Sequence, residues 1–249
     1  MTQENQRLAK GDRNQSFYIT IPIMSIITLG KILGQPLPAW GGTPNGTWLS
    51  KPQIQFHSST NTISQVMRDI KRQNYKLVFL DYRGVPDYVQ ERVSSKARAE
   101  NLVPIVWIQS PQYRSLTISQ LIYEARHGDA IQVDDHFFAN YSKKDFLSLS
   151  SQYQKPIFCS IQPFQSNMVS QGRCDQLDVQ CYTTQKFQSC IALADKLNAV
   201  VSLFYKDTFK YRTQLDRRRF NVFLWPYSEK NWQKRSQNLF GVRNIFNQP

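Results

Sequence analysis

"DAIQVDDHFF", residues 129–138, sets the problem. Ile131 and Val133 share one parity, Gln132 and Asp134 the other, the alternation of a β-strand. The segment then runs into two carboxylates and an imidazole: Asp134, Asp135 and His136. Such an ending is either an acidic turn or the end of a barrel strand that delivers a reactive site.

Elsewhere, similar apolar runs recur: "TWLS" (47–50), "KLVFLDYR" (76–83), "VPIVWIQ" (103–109), "PIFCSIQP" (156–163), "LDVQCYT" (177–183), "AVVSLFYKD" (199–207) and "NVFLWPYS" (221–228). With 129–135 they make eight expected strands. The stretches between most of them read as helices. "NTISQVMRDIKRQN" (61–74) puts Ile63, Val66, Met67 and Ile70 on one face. "VPDYVQERVSSKARAEN" (85–101), "TISQLIYEARHG" (117–128, with Thr117 as cap) and "TTQKFQSCIALADKLN" (183–198) follow suit. "SKKDFLSLSSQYQ" (142–154) is a weaker signal, and "DTFKYRTQLDRRR" (207–219) follows the seventh strand.

Strands that alternate with helices run parallel, with right-handed crossovers. Eight such units predict a closed (β/α)8 TIM barrel, compact and with short loops, and 249 residues suit one. An open doubly wound sheet is the alternative. It usually opens on a Gly-rich turn, and no G-x-G-x-x-G is present. In the barrel, Ile131 and Val133 face the helices, so Gln132 and Asp134 face inward. The same parity turns inward Trp107 and Gln109, Ser160 and Gln162, and Asp178, Gln180 and Tyr182. Barrel chemistry sits at the C-terminal ends of the strands, where Asp81, Asp134, Asp135, Tyr182, Lys206 and Glu229 fall.

Residues 1–39 read as a signal peptide or N-terminal anchor with its linker, ahead of a barrel over 40–249. Arg7, Lys10 and Arg13 precede an apolar run from Phe17 to Leu29, about the length of a signal-peptide core. Export or envelope anchoring is therefore expected, with an apolar strand or helix packed on the domain as the alternative. The net charge is +13, from 31 Lys plus Arg against 18 Asp plus Glu. It favours anionic partners, among them an acidic polysaccharide or an anionic membrane surface. Of the four cysteines none forms a C-x-x-C pair, and with three histidines this argues against a structural zinc site. If the chain is exported, Cys174–Cys181 or Cys174–Cys190 are the local disulfide candidates; free thiols in a reducing compartment are the alternative.

Several segments resemble a known family. "GTWLS" (46–50), "DAIQVDDHFF", "CSIQP" (159–163), "LDVQCYT" and "VFLWPYSEK" (222–230) are similar, in order, to the G-V-W-L-T, D-G-I-Q-x-D-D-H, S-I-S-P, V-I-Q-V-Y and F-F-x-Y-E-S segments of family 10 glycosylhydrolase-like barrels. These proteins are common in bacteria and cyanobacteria. The strand-four segment is the specific one. Ala130 stands where that family has Gly, and strand eight reads Pro-Tyr-Ser-Glu where it has a Tyr-Glu pair. The resemblance implies a glycoside hydrolase acting on a poly- or oligosaccharide, or a barrel that binds sugar without cleaving it.

Glycoside hydrolysis needs two carboxyl groups about the scissile bond, one as acid and one as nucleophile or base. Asp134 is expected inside the pocket. Asp81, Asp178, Asp207 and Glu229 compete for the second role, although Asp178 sits low on its strand. Asp135 is expected to orient a loop. His136 contacts substrate or, as favoured here, buttresses that loop. Trp107, Tyr182, Trp225 and Tyr227 offer rings for stacking on sugar, and Gln109, Gln132, Gln162, Gln180 and Lys206 offer polar contacts. No cofactor is implied. No G-x-S-x-G, P-loop or H-E-x-x-H appears. The basic, aromatic segment 205–220 fits a solvated seventh helix better than a nucleic-acid site, which would carry an RNP or KH signature. Two classes therefore stand: an exported glycoside hydrolase, and an inactive barrel that binds carbohydrate or a protein at the cell envelope.

Overall fold

The computed structural model describes residues 44–108, 116–169, 172–183, 187–204, 207, 210–216 and 218–223. Eight parallel strands close into a barrel in sequence order, each paired with the next and the last with the first. They are β1 (Pro44–Leu49), β2 (Leu77–Leu80), β3 (Val103–Ile108), β4 (Ala130–Val133), β5 (Ile157–Ile161), β6 (Gln176–Gln180), β7 (Val200–Phe204) and β8 (Phe220–Phe223). Around them run α1 (Lys51–Ser59), α2 (Ile63–Arg72), α3 (Asp87–Ala99), α4 (Ile118–Glu124), α5 (Asp135–Asn140), α6 (Lys143–Gln152), α7 (Phe187–Lys196) and the short α8 (Arg212–Leu215). All eight expected strands are present. Among the described residues no helix is long and apolar enough to cross a membrane. The expectations for residues 1–39 lie outside the described residues.

Strand parity divides the core. Leu49, Val78, Leu80, Val106, Ile108, Ile131, Val133, Cys159, Val179 and Leu203 join the apolar layer beneath the helices, with Met67, Ile70, Val93, Ala97, Leu121, Leu149 and Ile191 among their partners. The opposite parity fills the barrel. There Trp48 stacks on Phe79 (ring centroids 4.5 Å apart), and Phe79 meets Phe158 edge-on at 6.2 Å. Helix ends follow a recurring device. Asn74, Asn101 and Asn198 each sit just past a helix with φ of 64°, 55° and 50°, and the next strand begins within three residues. Asn accepts this left-handed conformation readily. Thr117 caps α4 as expected, accepting the Gln120 N–H at 3.3 Å.

Three details depart from the sequence pattern. The fourth strand ends at Val133 rather than Asp135, because Asp134 turns from strand into helix cap. No expected helix corresponds to α1: Gln53, Ile54, His57 and Ser58 are its buried residues, so the inward face is mostly polar and leaves little apolar periodicity. In the basic segment the described residues include a short helix, Arg212–Leu215, and Tyr211 stacks on Phe187 of α7 at 3.6 Å.

The disulfides also correct the expectation. The bonds are Cys159–Cys174 and Cys181–Cys190. Cys174 and Cys181 lie beyond opposite ends of β6, and five extended residues alone span roughly 17 Å, far more than one disulfide bridges. Instead, the approach to β6 is fastened to β5 and its exit to α7, so one strand is held at both ends.

Two outcomes follow for stability. Closing loops of 15 and 9 residues should contribute about 3 kcal/mol each, so reduction should shift a denaturant midpoint well downward; an unchanged midpoint counts against the pairing. Gly46 lies where an added Cβ would stand 2.7 Å from Phe79 Cε2 and 2.9 Å from Asn221 Oδ1. Gly46→Ala should cost about 1–3 kcal/mol, read as a lowered Tm.

Candidate active site

At the C-terminal mouth the two neighbouring aspartates do different work. Asp134 is the N-cap of α5. Its Oδ1 accepts the N–H groups of His136 (3.0 Å) and Phe137 (3.3 Å), and its Oδ2 accepts the indole N–H of Trp107 (3.1 Å). The residue is 3% exposed. Burial, then the adjacent Asp135, pushes its carboxyl well above the usual range.

Asp135 occupies the first helical position, and its side chain points elsewhere. Gln162, just past β5, donates to Oδ2 at 2.9 Å, and Gln180, the last residue of β6, donates to Oδ1 at 2.9 Å. Gln165 donates to its backbone carbonyl at 2.9 Å. Asp135 is partly exposed. The accessibility of the pair is thus the reverse of that expected: Asp134 is enclosed, and Asp135 meets the mouth.

Beneath them a polar network crosses the barrel. Asp178 on β6 is 1% exposed. It accepts hydroxyl donors from Ser160 of β5 (2.7 Å) and Ser202 of β7 (2.5 Å), and an amide donor from Gln132 of β4 (3.3 Å). Burial raises its carboxyl to about 6 against these donors. Gln132 in turn accepts the indole N–H of Trp48 at 2.9 Å. Gln180 also donates to Ser160 Oγ at 3.1 Å, which joins this network to Asp135. The inward parity of Gln132, Asp134, Trp107, Ser160, Asp178 and Gln180 is as the alternation requires.

Burial corrects several expected roles. Trp107, at 3% exposed, is core, and its contribution is the N–H held on Asp134 rather than a stacking face. Gln132 and Gln180 are buried as well, and each donates to a carboxylate. Asp81, fully buried at the end of β2, is taken up by Arg83, whose Nε lies 2.6 Å from its Oδ1. Tyr182 is partly exposed, rests 4.8 Å from Phe204, and is pushed well up by burial and then by Asp135, Asp134 and Asp178. His136 is exposed, and its backbone N–H caps onto Asp134. Gln109, Lys206, Trp225, Tyr227 and Glu229 lie outside the described residues.

Sequence reading missed Phe164. It sits in a 3-10 turn, Pro163–Gln165, between the two glutamines that hold Asp135, and it is 75% exposed. An exposed aromatic residue in the turn that holds Asp135 was signalled only by "QPFQ" directly after an expected strand. Among the described residues no group of His, Cys, Asp or Glu is arranged to hold a metal ion.

No protein-family model and no curated protein matches this chain. Solved structures do. A truncated 3-deoxy-D-arabino-heptulosonate 7-phosphate synthase from Thermotoga maritima is 9% identical with a TM-score of 0.53, over 78% of this chain and 79% of that one. Tryptophan synthase from M. tuberculosis is 9% identical with a TM-score of 0.52, over 88% and 96%. A citrate synthase variant is 12% identical with a TM-score of 0.51, over 86% and 98%. Likeness at such identities speaks to fold alone, and the fold is that of a TIM barrel with enzymes among its structural neighbours.

Proposed function

We propose that this chain is a glycoside-hydrolase-like barrel that takes a poly- or oligosaccharide across its C-terminal mouth, with Asp135 as the working carboxylate. The observation that carries this is the setting of Asp135: partly exposed, oriented by Gln162 and Gln180, and held by a turn, Pro163–Gln165, whose Phe164 is 75% exposed. A carboxylate fixed by two donors can attack an anomeric carbon or take a proton from water. The ring gives the apolar face of a sugar a flat surface. The second carboxyl must protonate the leaving oxygen. Asp81 is engaged by Arg83, Asp134 by the cap, and Asp178 is sealed in the barrel. The donor role therefore falls to Asp207, partly exposed beyond β7, or to Glu229. Two disulfides support an oxidising compartment and hence export. The charge of +13 favours an anionic glycan. The uptake of Asp81 and Asp178 by other contacts favours the second reading, a barrel that binds carbohydrate at the cell envelope without cleaving it.

Hydrolysis of neutral and anionic polysaccharides by the full chain decides between them. Asp135→Asn should abolish cleavage and keep binding within about threefold, whereas Asp134→Ala should cost about 1–2 kcal/mol of stability through loss of the cap. Cleavage that survives in Asp135→Asn removes the assignment; binding without cleavage by the wild type selects the second reading. Phe164→Ala should weaken glycan binding about tenfold, near 1.4 kcal/mol, with Tm unchanged. Unaltered affinity would remove the platform.

A further inference from the structure

The polar network has a direction, and the direction is forced. Trp48 Nε1 can only donate, so Gln132 must turn its carbonyl oxygen to Trp48 and its amide nitrogen to Asp178. An ionised carboxylate can only accept, so Ser160 and Ser202 must both spend their hydroxyl protons on Asp178. Ser160 is left with lone pairs toward Gln180, which therefore presents its Nε2 there. The same Nε2 supplies the N–H that reaches Asp135 Oδ1. Every donor in the chain is thus assigned by the charge at its sink.

We propose that Asp178 is a positioning residue: its ionised carboxylate, acting through Ser160, fixes the amide orientation of Gln180 and so keeps an attractive donor on Asp135. This rests on the reading of Asp135 as the working carboxylate. A proton placed on Asp178 Oδ2 must itself be donated, to Ser160 or to Ser202. Gln132 cannot yield, because Trp48 holds it. If Ser160 receives the proton, its own hydroxyl turns to Gln180. The amide then flips and brings Oε1 against Asp135, oxygen against oxygen. The competing outlet is Ser202, whose register partner on β8 is Asn221. Both side-chain polar atoms of Asn221 are buried and find no hydrogen-bond partner among the described residues. The titratable groups that bear on Asp178 among the described residues are Asp135 at the head of α5 and Tyr182 in the turn after β6. The other inward side chains of β4, β5 and β7 that touch it are neutral: Gln132, Ser160 and Ser202.

The test is a side-chain NMR titration of the full chain, following the Gln180 amide and the Asp135 carboxyl from pH 8 to pH 5. Burial puts the Asp178 transition near 6. In wild type the Gln180 amide should lose its hydrogen-bonded shift through that transition, in step with a response at Asp135. Ser160→Ala keeps both charges and cuts the relay, so the Gln180 transition should vanish while the Coulombic response of Asp135 remains. Asp178→Asn should hold the Gln180 signal at its low-pH position throughout. A Gln180 amide unmoved in wild type, with Ser202 and Asn221 responding instead, would overturn the proposal; so would an equal transition in Ser160→Ala. Wild type alone is decisive on the first of these if a variant fails to fold. The readout needs no glycan, so a failed relay and a failed glycosidase assignment are separate results. If both hold, kcat on a cleaved glycan should fall about tenfold across the same transition with KM nearly constant, and Ser160→Ala should abolish that dependence.

Discussion

A carboxyl group inside a closed barrel must be surrounded by donors, and that requirement organises the interior. Among the described residues no cation pairs with Asp178. Its inward neighbours on β4, β5 and β7 are accordingly a glutamine and two serines, all donating. The β1–β3 side of the barrel has no such duty and is filled by Trp48, Phe79 and Ile105, with Phe158 of β5 packed edge-on against Phe79. The arrangement has a cost. With its folded pKa raised to about 6, Asp178 keeps a proton in the folded state that the unfolded chain has already released. Its contribution to stability is therefore greatest below about pH 4 and is lost as pH rises through 6. Asp134 is shifted in the same direction. Retaining two such groups in one barrel is unfavourable to folding at neutral pH, and so points to a use for them.

How much of this was legible follows from what parity can and cannot encode. Period-two alternation located the eight strands and turned Gln132, Ser160, Asp178 and Gln180 inward. It could not say which inward groups would find one another, because those bonds join residues 18 to 46 apart in sequence. Asp178 looked too low on its strand to matter; it is low, and for that reason it lies within reach of three strands. Cys159 and Cys174 escaped notice because proximity along the chain misleads when an extended strand intervenes. Helix α1 carried no apolar stripe to detect, since its buried face holds Gln53, His57 and Ser58.

The two consecutive aspartates show how a change of secondary structure separates neighbours. Had β4 continued through Asp135, alternation would have sent Asp134 inward and Asp135 toward the helices. The strand stops instead at Val133. Asp134 then satisfies two rules at once: it is the next inward residue of the strand, beside Trp107, and the cap that takes the first free N–H groups of α5. At the first helical position, Asp135 is released from strand parity and swings to the mouth, where β5 and β6 end. The first aspartate is consumed by architecture, which leaves the second at the mouth for the proposed chemistry.

Charge distribution limits what such a mouth can receive. The chain as a whole is strongly basic, yet Asp134, Asp135 and Asp178 form no ion pair with any described Lys or Arg, while Asp81, Asp69, Asp87, Asp129, Asp175 and Asp195 each have one. Among the described residues the mouth thus gathers carboxyl groups with no cation paired to them. An anionic polymer attracted by the surface would be repelled at Asp135 if it placed its own charge there. On the proposed reading, the substrate is then a chain whose charged groups are held on the basic exterior while a neutral sugar unit lies over the carboxylate.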